Sequence, residues 1–276
     1  MQTRSRKATL WGLVAGTTLA ILLAAAPAKA EVREEFHKNY PMAADGRVSL
    51  KNVNGGITIT AWDKNEVQVD AVKTAESQEK LAEAKIEITA GSSAIDIRTK
   101  YPDRSQHNPA SVEYTLHVPR KARLDKIDIV NGGITIDGVQ GGVYANSVNG
   151  EVRAKNVSGG LDMHSVNGRV HAELQTPGHP VDLSTVNGGV ELLLPSDAKA
   201  ELEASTVHGG ISNQFNIPAT RHRFMPGGEL RARLGDGGPK VKLSTVNGGI
   251  DIQRASDGKP LSKVTNLLPE DKSRYY

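Results

Sequence analysis

The chain has no cysteine. That excludes disulfide scaffolds, thiol nucleophiles, cysteine-ligated zinc or iron–sulfur sites and a lipidated N-terminal cysteine. Aromatics are scarce, with 2 Trp, 6 Tyr and 3 Phe in 276 residues. Too few remain for the paired aromatic girdles of a transmembrane β-barrel. Charge of one sign is also missing once the start of the chain is set aside. Residues 1–30 hold Arg4, Arg6, Lys7 and Lys29 and no acid, so the remaining 30 basic side chains meet 31 acidic ones. A near-neutral body has no electrostatic reason to bind nucleic acid. After Ala26 no run is apolar enough to span a bilayer.

Residues 1–30 read as a signal peptide: a basic start, an uncharged apolar run from Ala8 to Ala26, and Ala28-Lys29-Ala30 before the charged stretch from Glu31. Cleavage after Ala30 would release a mature chain to the periplasm or cell surface with no transmembrane segment. An uncleaved anchor is the alternative.

What the sequence has in quantity is glycine, 28 residues, and repetition. Val-Asn-Gly-Gly or a near variant begins at Val53, Val130, Val139, Val148, Val157, Val166, Val186, Val207 and Val246, at intervals of nine from Val130 to Val166. One class carries Ser147, Ser165, Thr185, Thr206 or Thr245 before the valine and recurs at intervals of 18, 20, 21 and 39. Asn-Gly and Ser-Gly are turn signals because their residues tolerate positive φ. Between them apolar residues alternate, as in Val143/Ala145, Leu161/Met163 and Val181/Leu183. That period is a strand with one polar face.

Two folds fit, an antiparallel meander and a stack of coils. A meander would leave a row of aliphatic side chains uncovered, whereas a coil hides its own interior, so the expectation is an all-β, right-handed β-solenoid of 18–21 residues per coil. Residues 119–254 are the expected solenoid and 31–118 a β-rich N-terminal cap with one helix near 74–85. Residues 255–276 are the expected loose tail. Register arithmetic stacks Ser147, Ser165, Thr185 and Thr206, and lines up Asn131, Asn149, Asn167, Asn187 and Asn247 as an amide ladder.

Val53-Asn-Gly-Gly-Ile-Thr-Ile, His117-Val-Pro-Arg-Lys-Ala, Leu193-Leu-Pro-Ser-Asp-Ala, Leu234-Gly-Asp-Gly-Gly and Val241-Lys-Leu-Ser-Thr-Val-Asn-Gly-Gly-Ile together resemble the bacterial putative-adhesin family of β-strand-repeat domains of unknown function. The resemblance covers about Val48 to Arg254. It implies an exported envelope protein with a β-helical body, and brings no catalytic or binding residues. His208 stands where the corner pattern has asparagine.

No nucleophile-elbow, phosphate-loop or metal-binding histidine spacing occurs. His164 and His171 are expected on outward strand positions near Asp162 and Asp182, and Asp162, Asp182 and Glu203 would stack carboxylates on successive coils. Arg221, Arg223, Arg231 and Arg233, with His222, are expected to form an arginine-rich loop able to grip an anionic partner. The reading is a non-enzymatic envelope module, adhesin-like or structural, with no cofactor or metal and an unknown envelope polymer or protein as partner. The alternatives are an envelope-stress component docking on a membrane regulator and, less favoured, a polysaccharide-cleaving β-helix.

Overall fold

Twice per repeat a corner redirects the chain, one at a Val-Asn-Gly-type turn and the other at Gly-Gly in the early coils or a proline-bearing turn in the later ones. Between corners, strict alternation of aliphatic and polar residues keeps each segment extended with one face inward. The computed structural model describes residues 31–102, 110–221 and 226–268. The leader, His222, Arg223 and the last eight residues lie outside them.

The strands form two open sheets joined by the corners. The ten-stranded sheet runs Val32–Pro41, Glu66–Ala75, Ser111–Pro119, Ile57–Trp62, Ile134–Asp137, Val152–Val157, Val170–Leu174, Val190–Leu194, Ile250–Arg254, Ile211–Asn213. In the twelve-stranded sheet the order is Thr220–Arg221, Gly228–Leu234, Ala200–His208, Lys240–Asn247, Val181–Asn187, Leu161–Asn167, Val143–Asn149, Arg123–Asn131, Arg47–Asn54, Ala94–Lys100, Lys85–Ala90, with Val264–Asn266 beside Gly228–Leu234. From residue 123 to 213 successive strands alternate between the sheets, and like strands pair in parallel one coil on: Val143 with Leu161, Ser165 with Thr185, Val152 with Val170. A meander would have paired these strands antiparallel.

The core lies between the sheets. Leu161, Met163, Val170, Ala172, Val181, Leu183, Val190 and Leu192 are all buried. The recurring Ser or Thr is inward as well, and its hydroxyl is satisfied across the coil boundary. Ser147 donates to Gly132 O at 2.9 Å, Ser165 to Gly150 O at 2.9 Å and Thr185 to Gly168 O at 2.8 Å.

Chain order and stacking order part at the C-terminal end. Strand Val181–Asn187 pairs not with Ala200–His208 but with Lys240–Asn247, which in turn pairs with Ala200–His208. The last coil is thus inserted between two earlier ones. Thr245 stands between Thr185 and Thr206, which corrects the stacking order expected from sequence. Thr245 donates to Gly188 O at 2.9 Å and Thr206 to Gly248 O at 2.9 Å, so the hydroxyl pattern runs through the insertion unbroken.

The N-terminal region contributes a coil of its own. Arg47–Asn54 and Ile57–Trp62 pair in parallel with Arg123–Asn131 and Ile134–Asp137. The helix is shorter than its composition suggests, Gln78–Glu83, because Thr74 is held in the strand Glu66–Ala75 between Arg33 and Ser111. Ser77 caps the helix by accepting from Lys80 N at 3.3 Å. Residues 255–268 are tied down rather than loose. Ser262 donates to Ala198 O at 2.6 Å, Lys259 pairs with Asp197 at 2.8 Å, and Val264–Asn266 joins the sheet.

Candidate functional site

Each central strand of the twelve-stranded sheet shows three side chains to solvent, and parallel register turns these into three columns. The first holds Tyr144, Asp162, Asp182, Lys242 and Glu203, and the second Asn146, His164, Ser184, Ser244 and Ser205. The third is valine throughout: Val148, Val166, Val186, Val246 and Val207. Beyond it, at the corner, runs a ladder of side-chain amides. Asn131 donates to Asn54, Asn149 to Asn131, Asn167 to Asn149, Asn187 to Asn167 and Asn247 to Asn187, each at 2.8–2.9 Å. Asn54 extends the ladder one coil beyond the asparagines singled out by sequence. His208 takes the next register position beside Asn247 and ends it.

The charged column differs from its sequence expectation, and the inserted coil is the reason. Asp162 and Asp182 are neighbours, but Lys242 separates Asp182 from Glu203, with Nζ 3.4 Å from Asp182 and Lys240 Nζ 2.7 Å from Glu203. Two carboxylates of the expected three stack, Asp162 on Asp182, and the lysine stands between them and the third. Lys240, donating to the Glu203 carboxylate, holds that group below the ordinary glutamate range, with Arg231 and Lys242 adding to the effect. A carboxyl depressed in the folded state stabilises the fold above its unfolded value of 4.5, and that contribution is lost as pH falls through the lower folded value. The expected result is that Glu203→Gln flattens the fall of melting temperature below about pH 4.5. An acid limb as steep as the parent's would refute it.

A groove of about 670 Å³ crosses five coils at the start of these strands, lined by Asp125, Tyr144, Asp162, Asp182, Lys240 and Lys242 over the backbone of Gly142 and Gly160. Tyr144 is 37% exposed and meets His164 edge-on, ring centroids 6.3 Å apart. His164 Nε2 contacts Asp162 Oδ1 while its Nδ1 contacts Ser184 Oγ, so a serine, a histidine and an aspartate stand in one chain of contacts. Acyl transfer needs in addition N–H donors aimed at a developing oxyanion. Ser184 lies on an interior strand with a partner on each side, and its backbone amides serve the two ladders.

Arg231 and Arg233 are strand residues and not part of a loop. Arg231 and Arg233 lie on strand Gly228–Leu234, antiparallel to Ala200–His208, where Arg231 pairs with Glu203 at 3.2 Å and Glu229 at 2.7 Å and Arg233 with Glu201 at 3.1 Å. Antiparallel register sets each guanidinium opposite a glutamate, so these two charges are neutralised within the sheet. Arg221 belongs to the two-residue strand Thr220–Arg221 and pairs with Gly228. Its side chain, like Arg223, lies outside the described residues.

On the ten-stranded sheet His171 Nδ1 lies 3.1 Å from Glu191, which also accepts from Gln253 at 2.9 Å. Asp251 accepts from Gln253 at 2.6 Å and from Ser212 at 2.7 Å. A wider cavity of about 810 Å³ lies over this network, lined also by Arg169 and six glycines. Among the described residues no group of three or more His, Asp or Glu could hold a metal ion, and no helix is long and apolar enough to cross a membrane.

None of the curated proteins compared matches this chain. Among solved structures it is similar to a putative cell adhesion protein from Clostridium sporogenes, at 12% identity and a TM-score of 0.49 over 81% of this chain and 100% of that one. A putative adhesin from Bacteroides fragilis has 13% identity and a TM-score of 0.29 over 80% and 97% of the two chains. A putative lipid binding protein from Parabacteroides distasonis has 10% identity and a TM-score of 0.32 over 80% and 96%. The stretch from the strand pair after Pro119 to the inserted coil also resembles a described family: over residues 120–253 the chain is similar to Toastrack DUF4097.

Proposed function

We propose that the mature chain is an exported cell-envelope module, a right-handed β-solenoid that binds an extended envelope polymer without turning it over, in the manner of an adhesin. Right-handedness follows from the near-uniform hand of parallel crossover connections. The observation that carries the reading is the groove across five coils of the twelve-stranded sheet. Its long axis follows the stacking direction, and its walls alternate an aromatic ring, carboxylates and ammonium groups in a row: Tyr144, Asp162, Asp182, Lys242. A linear ligand laid along such a row meets a new polar group at every coil, about 4.8 Å apart. Apolar ring and polar partners together are what a polysaccharide needs, an aromatic face for its C–H groups and carboxylates to accept from its hydroxyls.

Catalysis finds less support. A reaction centre needs a nucleophile, a base, an oxyanion donor and exclusion of water. The contact chain of Ser184, His164 and Asp162 offers the first two on an open face where Asp162 is 48% exposed.

The test is affinity electrophoresis of residues 31–276 through gels containing envelope polysaccharides, neutral, acidic and amino-bearing in separate lanes. Retardation in at least one lane is expected, weakened about tenfold or more by Tyr144→Ala with Asp182→Ala, because few contacts carry most of a binding energy. No retardation in any lane, or turnover of a polysaccharide that Ser184→Ala or His164→Ala abolishes, would overturn the proposal.

A further inference from the structure

The corner asparagines bond to one another and the corner glycines make room for backbone, but the valine before each asparagine does neither. Val130, Val148, Val166, Val186, Val246 and Val207 are 39–43% exposed. The two outward positions before them are polar in every central coil: Asp162 and His164, Asp182 and Ser184, Lys242 and Ser244. An outward strand position asks only for a residue that tolerates extended backbone, and in the other two columns of this face the central coils use polar residues for that, Tyr144 excepted. Six aliphatic side chains in one unbroken line, one per coil, form a stripe of apolar surface turned to water.

We propose that this valine ridge is a self-association surface on which a second copy of the chain docks ridge against ridge. Period argues for the second copy. Side chains repeating every ~4.8 Å leave gaps at the same repeat, so an identical row interdigitates along its whole length, as like ladders do in dry interfaces between β-sheets. A partner of any other repeat falls out of step within a few coils. Charge agrees. Valine and asparagine columns are uncharged, and the asparagine amides are largely spent on each other. Like surfaces therefore meet without repulsion, while the charged column stands four residues back along each strand, about 13 Å away. The contact area sets the strength. Six valines with their flanking asparagines fall at or below the small end of specific interfaces, about 1,200 Å² in total, so the pair is reversible and concentration-dependent. A two-fold axis through the ridge closes the assembly at two copies.

Sedimentation velocity of residues 31–276, from micromolar to near-millimolar concentration, tests this. A dimer fraction that rises with concentration is expected. Val148→Asp with Val166→Asp and Val186→Asp sets three carboxylates against three and should raise the dissociation constant about a hundredfold or more, with the melting temperature nearly unchanged. To separate docking from folding, the triple Val→Ile variant is measured beside it and should dimerise at least as tightly as the parent. Tyr144→Ala should leave the dimer intact, since that ring lies in a different column, which separates this proposal from the polymer-binding one. A parent chain that stays monomeric throughout, an aspartate variant that dimerises like the parent, or an isoleucine variant that does not dimerise would each overturn the proposal.

Discussion

Deleting residues 239–276 destroys the cooperative unfolding of the stack instead of trimming one coil from its end. In a solenoid whose chain order matches its stacking order, loss of the last coil would expose one face and leave the remainder folded. Here the coil made of Lys240–Asn247 and Ile250–Arg254 lies inside the stack, between the 181–194 and 200–213 coils. Its Val241, Leu243, Ile250 and Ile252 are 0–1% exposed. Four such side chains at about 1.5–3 kcal/mol each amount to roughly 6–12 kcal/mol, comparable with the whole stability of a domain. The gap cannot simply close. Docking the 200–213 coil directly on the 181–194 coil would set Glu203 against Asp182, the contact that Lys242 now relieves. Hydrogen exchange should show residues 200–234 unprotected in the truncated chain. A chain ending at Ala255 should keep that protection over residues 200–213, losing it only where Gly228–Leu234 gives up its partner Val264–Asn266. Full protection of residues 200–234 in the shorter chain would refute the argument.

The corners, the period and the parallel pairing were legible because they rest on local chemistry. Asn-Gly turns, alternating aliphatics and an interval of nine residues leave little choice once the aliphatic row has to be hidden. The inserted coil was not legible from spacing. Thr185-Val-Asn, Thr206-Val-His and Thr245-Val-Asn offer equivalent strand ends, and an interval of 39 residues between Val207 and Val246 does not say where the last coil docks. One signal was present, in the residue three positions before each threonine: Asp182, Glu203 and Lys242. Placing the lysine between the two acids is the order that avoids like charges across the strands. Tyr144 and Lys242 were overlooked for the same reason, since their meeting in one groove depends on that order. Strand Val32–Pro41 hides itself at the sheet edge. Its partly buried residues are Val32, Phe36 and Tyr40, four apart, so no alternation betrays it. Charged side chains along such an edge protect it from adding another strand. Arg231 and Arg233 fall on a strand and not in a loop because Ala204, Leu202 and Ala200 require an antiparallel partner with Leu230, Ala232 and Leu234 turned inward.

Gly168→Ala is expected to destabilise the fold by about 3 kcal/mol, the upper end of what overpacking costs, while Gly142→Ala changes stability by less than about 0.5 kcal/mol, as open surface sites do. Both residues belong to Gly-bearing corners, and a rule that glycine merely permits turns would treat them alike. Their surroundings differ. A Cβ on Gly168 would lie 2.0 Å from Gly150 O, 2.5 Å from the same carbonyl carbon and 2.8 Å from Ser165 Oγ, whereas one on Gly142 meets nothing within 4 Å. The obstacle at Gly168 is backbone of the adjoining coil, which cannot swing aside as a flexible side chain can. Relief has to come from parting the coils at that corner. Parting stretches the Ser165 hydroxyl bond to Gly150 O, the Gly150 N–H bond to Asn167 O and the Asn167–Asn149 rung together. The first leaves a buried hydroxyl short of its acceptor, which adds to the cost. The same close approach recurs at Gly188, 2.1 Å from Gly168 O, and at Gly248, 1.8 Å from Gly188 O, so the first corner glycine is a stacking residue in every coil. Thermal unfolding of the two variants beside the parent decides the matter. At about 2–4 °C per kcal/mol for a chain of this size, Gly168→Ala should melt roughly 6–12 °C lower and Gly142→Ala within about 2 °C. Equal melting temperatures for the two would show that the coils have room at the corner and that the stacking argument fails.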